Sequence, residues 1–79
     1  MSNNTMSEAN ARALCLQIQA AIRKAKRPLR RGELSVTILE AESKLTVACR
    51  YGVEHGMLVR IGAYNHARYD LPPEAKPSV

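Results

Sequence analysis

The sequence predicts one small α+β domain in which three helices are followed by a two-stranded β-hairpin. Three observations carry that prediction. Apolar residues recur at three- and four-residue intervals from Glu8 to Lys26 and again from Leu45 to Val53, the spacing of helices that each bury one face. Beyond Gly56 the period changes to two, in Met57 to Ile61 and in Ala67 to Leu71, which is the spacing of strands. The chain of 79 residues holds one modest core and leaves no room for a second domain.

Along the chain, Met1 to Ser7 is rich in Ser, Asn and Thr and is expected to be a flexible lead segment. The first helix follows, with Ala11, Leu14, Cys15, Ile18, Ala21, Ile22 and Ala25 on its apolar stripe, Ser7 or Asn10 as its cap, and Pro28 as its stop. RRGELSVTILEAE is expected to form a short second helix through Leu34 and Ile38, although Val36, Thr37 and Ile38 carry β-favouring side chains. Ser43 is the expected cap of the third helix, whose buried face would comprise Leu45, Ala48, Cys49, Gly52 and Val53 and whose left-handed terminator would be Gly56. In the hairpin, Met57, Val59 and Ile61 would face inward, the tip GAYNH would supply Gly and Asn for positive φ, and Ala67, Tyr69 and Leu71 would return on the inner face. The folded domain is thus expected over residues 8–71, with a Pro-rich flexible tail over 72–79 that holds three of the four prolines.

The formal net charge of +5 points to anionic partners, and Arg23, Lys24, Lys26, Arg27, Arg30 and Arg31 concentrate it. Nucleic acid is favoured over a membrane surface, because no apolar run approaches the roughly 20 residues that span a bilayer. With no charged-then-apolar leader, the expected location is the cytoplasm. Cys15 and Cys49 lie in separate expected helices and form no CxxC pair or cluster with His55 and His66, so both read as reduced core thiols, and neither a metal nor a cofactor is expected. There is no phosphate-binding glycine loop, no HExxH, and no Cys beside a His partner, so no catalytic activity is expected.

The order of elements, with PLRRGEL opening the second helix, SKLTVACRYGVEHGMLVRI joining the third helix to the first strand, and ARYDL as the returning strand, resembles the winged helix-turn-helix superfamily. The resemblance covers about Ala11 to Leu71. It implies that the third helix enters the DNA major groove, that the second braces it, and that the hairpin wing lies along phosphates or the minor groove. On that basis Arg50 would read guanine, Val47 would meet a thymine methyl, Thr46 and Tyr51 would contact bases or backbone, and Lys44 would meet a phosphate. Arg60 and Arg68 would flank the wing, with Tyr64 and Asn65 at its tip, and Arg30 and Arg31 would point charge at a phosphate from the start of the second helix. Two departures from the superfamily pattern stand out: no hydroxyl cap precedes the second helix, and Glu40 and Glu42 would repel phosphate close to the docking side.

Two function classes follow. One is a sequence-specific double-stranded DNA-binding regulator or phage accessory factor, a homodimer if two helices are to reach paired half-sites. The other is a protein-interaction module or inhibitor of the same fold, anchored by Val47 and Tyr51.

Overall fold

The computed structural model describes residues 6–62 and 66–73. The element order is α1 (Glu8–Ala25), β1 (Leu29–Arg30), α2 (Arg31–Ile38), α3 (Glu42–Glu54), β2 (Val59–Ile61) and β3 (Arg68–Asp70). The α+β class is as expected, but the sheet has three strands rather than two. β1 pairs antiparallel with β3, Leu29 opposite Tyr69 and Arg30 opposite Arg68, so that the order is β1-β3-β2. A strand of two residues is too short to show alternation, and Pro28 before it reads equally well as a helix stop.

The long apolar stripe makes α1 the backbone of the core: Leu14, Cys15, Ile18, Ala21 and Ile22 are buried together with Leu29, Leu34, Leu45, Ala48, Cys49 and Leu58. At its start the Ser7 hydroxyl accepts the Asn10 N–H at 3.2 Å. The helix ends at Lys26, a left-handed residue with φ 60°, whose N–H donates to the Ile22 carbonyl.

α2 is much less anchored, with Leu34 its one buried residue. Its start is held from inside the helix: the Glu33 carboxylate accepts the Arg30 backbone N–H at 2.9 Å. Arg30 has no acceptor of its own and caps nothing with its side chain. At the far end Leu39 adopts φ 65°, a conformation that costs a non-glycine residue about 1–2 kcal/mol. The Ser35 hydroxyl then donates to the Glu40 carbonyl at 2.6 Å and fixes the turn into α3.

That turn moves the start of α3. Ala41, not Ser43, is the N-cap residue, and its carbonyl accepts from Lys44 and Leu45, each at 3.1 Å. Only Glu40 and Ala41 separate Leu39 from the helix, so Ser43 already lies inside it. The buried face is Leu45, Ala48, Cys49 and Gly52, whereas Val53 has rotated past the edge and is 40% exposed. At Gly52 the helix packs closely on Cys15 of α1 and on Leu58, since a Cβ there would lie 2.7 Å from both Cys15 Sγ and Leu58 Cδ1. The helix-propensity cost of that glycine, about 1 kcal/mol, is the condition for this packing.

The first hairpin strand has the opposite parity from the one expected. Leu58 is buried and Ile61 is 47% exposed, with Met57 and Val59 between those extremes. Gly56, at φ 73°, turns the chain back so that Leu58 drops in beside Gly52, and a one-residue shift reverses every later side chain. Gln19 Nε2 secures this turn by donating to the Met57 carbonyl at 2.8 Å. The returning strand keeps its expected parity: Ala67 is buried, and Tyr69 and Leu71 pack half-buried on the core. Met6 also packs against the core and Pro72 is buried; the rest of the two expected flexible ends, residues 1–5 and 74–79, lies outside the described residues.

Candidate functional site

The residues expected to meet a partner separate into distinct groups. The first surrounds an open cleft of about 360 Å³ between α3 and the sheet. Thr46, Arg50, Val53 and Glu54 border it from α3, Arg31 from the start of α2, Arg60 from β2 and Tyr69 from β3, with Cys49 at its base. Helix geometry brings the α3 residues together, because positions 46, 50, 53 and 54 are one stripe at intervals of four, three and one. Sheet register brings in the other two, since Arg60 stands directly opposite Tyr69.

Three guanidinium groups therefore share one cleft. Arg31 is held across the α2–α3 junction: its Nε lies 3.4 Å from Glu42 Oε1, and its Nη1 donates to Thr46 Oγ1 at 3.0 Å. The Thr46 hydroxyl in turn donates to the Glu42 carbonyl at 2.9 Å, so its one proton is already used. Thr46 thus orients Arg31 in the free protein. Among the described residues Arg50 and Arg60 form no ion pair. The two acidic residues expected to repel an anion are both engaged, Glu42 with Arg31 and Glu40 with Lys44 at 3.7 Å. Exposed pairs of this kind contribute about 0–1 kcal/mol, so an incoming anion can displace either carboxylate.

The cleft base is neutral. Burial pushes the Cys49 thiol up to about 12, reinforced by Cys15 and opposed by Arg31, and burial pushes Cys15 up to about 11. Both are free, buried thiols. Burial also raises the Tyr69 phenol, as does Cys49, while Arg60 and Arg31 act in the other direction. The ionic side chains that line the cleft with Tyr69 are thus Arg31, Arg50, Arg60 and the single acidic residue Glu54.

A second group lies on the opposite face of the pleat. Arg30 and Arg68 are direct cross-strand partners, Ile61 continues the row, and all three are exposed. Two like charges side by side repel, an arrangement that an anion bound between them would relieve. Val47 and Tyr51 differ from their expected outward placement: both are half-buried, and the Tyr51 ring packs on the core with its centroid 4.1 Å from that of His55. Lys44 is exposed near the start of α3. Tyr64 and Asn65 lie outside the described residues.

Val53, Glu54 and Tyr69 were not foreseen at this cleft. The first two were legible in principle from their spacing to Arg50, but Val53 reads as core by residue type. Among the described residues no group of three or more His, Cys, Asp and Glu side chains is placed to hold a metal ion, and no helix is long and apolar enough to cross a membrane. No family model, curated protein or solved structure matches this chain.

Proposed function

We propose that this chain is a cytoplasmic, sequence-specific double-stranded DNA-binding protein of winged-helix type, working without catalytic chemistry or a cofactor. The observation that carries the reading is the convergence of Arg31, Arg50 and Arg60 on one cleft between α3 and the sheet in a chain of net charge +5. A groove open along a helix and lined by guanidinium groups suits a sugar-phosphate strand, whose charges are neutralised with release of bound counterions. The order of elements, with α3 leading into a hairpin, supports the winged-helix assignment. In this reading α3 enters the major groove, Arg50 reads a base edge, Arg31 and Arg60 hold phosphates on the strand beside it, and Arg30 and Arg68 extend the contact along the wing.

On binding, a phosphate replaces Glu42 beside Arg31, and Thr46 Oγ1 keeps the guanidinium aligned. One α3 reads few base pairs, so two copies on paired half-sites complete the recognition, with the outer face of α1, where Leu16 is exposed, as the contact between them. A protein-interaction role anchored by Val47 and Tyr51 has less support, because both side chains are already half-buried.

The test is fluorescence anisotropy with a random duplex at two salt concentrations, on the native chain and on a Lys44→Glu/Arg50→Glu variant. The expected result is binding that falls steeply with salt and is lost on charge reversal. Absence of duplex binding at low salt removes the proposal.

A further inference from the structure

We infer that the cleft between α3 and the sheet is also a site for a nucleoside monophosphate whose base carries N–H donors, guanine above all. The inference goes beyond the duplex reading but draws on the same arginines, so that nucleotide and duplex compete for them. The volume of the cleft, about 360 Å³, is that of a small-ligand site and more than a phosphate group alone fills.

The lining changes character along α3. Near the start of the helix, Thr46 accepts from Arg31 Nη1 at 3.0 Å and holds that guanidinium. Glu54 lines the cleft from the last turn, eight residues further on and about 12 Å away along the helix axis. Arg50 stands between them, Arg60 adds a third guanidinium from β2, and Cys49, Val53 and Tyr69 form a neutral surface.

Glu54 decides the kind of ligand. It is exposed, and among the described residues it forms no ion pair, although Arg50 stands four residues before it. An ionised carboxylate accepts hydrogen bonds and donates none. A sugar-phosphate strand turns anionic oxygens outward, so it would satisfy the arginines and leave Glu54 facing like charge. Inorganic phosphate would leave Glu54, Val53 and Tyr69 without any partner. A nucleoside monophosphate suits all of them. Its phosphate, of charge about −1.5 to −2, takes the paired N–H groups of the guanidiniums, its flat base lies against Tyr69 and Val53, and N–H groups on the base edge donate to Glu54. Guanine offers two such groups side by side, one for each carboxylate oxygen. The ring N–H of thymine is flanked by two carbonyl oxygens, which a carboxylate repels.

The probe is guanosine monophosphate, titrated against the full chain at physiological salt and followed by amide chemical shifts, beside thymidine monophosphate and inorganic phosphate. Saturation with a dissociation constant below about 1 mM is expected, with shifts at Cys49, Val53, Glu54 and Tyr69, and about tenfold weaker binding of thymidine monophosphate. Glu54→Gln separates a hydrogen-bonding role from a merely electrostatic one. Removing a negative charge from the end of a helix does not destabilise it, and it should tighten the binding of any anion. Yet guanosine monophosphate is expected to bind this variant about tenfold more weakly, while the duplex binds it at least as well as the native chain. Lys24→Glu, in the separate groove between α1 and α2, leaves nucleotide binding unchanged. Failure to saturate, equal affinity for the two nucleotides, tighter binding of guanosine monophosphate by Glu54→Gln, or shifts centred outside the cleft overturns the inference. Saturation without duplex binding leaves it standing and removes the duplex reading; duplex binding without saturation does the reverse.

Discussion

The cleft beside α3 and the groove between α1 and α2 both combine arginines with aliphatic side chains, yet they differ in how tightly their walls are fixed. Next to the cleft, α3 is pressed against α1 at Gly52, where a single methyl group would collide with Cys15 and Leu58. In the groove, Gly32 has nothing within 4 Å of the position its Cβ would take. Close packing of α3 on α1 gives Arg50 a rigid base, whereas Arg31 starts the less anchored α2 and Arg60 lies on β2. Val36, on the wall of that groove, is 76% exposed. The two walls thus differ in how closely their backbones are packed.

The sharpest way to break that comparison is to reverse charge on one side only. Arg50→Glu with Arg60→Glu is expected to weaken duplex binding by about a hundredfold at low salt, whereas Lys24→Glu in the groove is expected to leave most of it; equal losses would mean that the two surfaces do not act separately. Exchanging the two helix glycines for alanine comes next. Gly52→Ala is expected to destabilise by about 1–3 kcal/mol through overpacking, lowering the melting temperature by about 4–8 °C for each kcal/mol.

Gly32→Ala is expected to act oppositely, raising stability by about 0.5–1 kcal/mol because the added methyl meets open space and restricts the unfolded chain. Thermal melts of the two variants side by side decide this. The smallest effect is at the rim of the groove, where the Glu33 carboxyl is lowered from its ordinary 4.5 to about 2 by the Arg27 guanidinium and then by the Arg30 N–H. A depressed folded-state pKa gives stability that is present above the unfolded value and is lost as pH falls from 4.5 toward 2. The melting difference between the native chain and Glu33→Gln is therefore expected to be constant near neutrality and to vanish by about pH 2.

Much of the fold is legible in the sequence where burial is continuous. The α1 stripe from Ala11 to Ile22 is unambiguous because one helix face supplies a large part of the core. The β-prone run Val36 to Ile38 still forms helix, since Leu34 and Ile38 need the i, i+4 spacing to reach that core. Legibility fails where a short connection, rather than a side-chain pattern, sets the geometry. The two residues between Leu39 and α3 make Ala41 the cap despite its lack of a side-chain acceptor, and the left-handed turn at Gly56 fixes which of Leu58 and Val59 goes inside.

The same holds for the candidate site. Arg31, Arg50 and Arg60 are recognisable as surface cations, but their meeting depends on β1, which pairs with β3 to bring the start of α2 alongside the sheet. Val53 and Tyr69 read as core because an aliphatic or aromatic side chain at the edge of a cleft has the same sequence signature as one inside. The hydrogen bond from Arg31 to Thr46 is a three-dimensional fact that no spacing rule anticipates.

The most direct measurement is amide chemical-shift mapping of the full chain titrated with a short random duplex at low salt. The account predicts that shifts concentrate at Arg31, along α3 from Lys44 to Glu54, and at Arg60 and Tyr69, leaving Ala21, Ala25 and Val36 unmoved. Shifts centred instead on the α1–α2 groove, or no shifts at all, would contradict it.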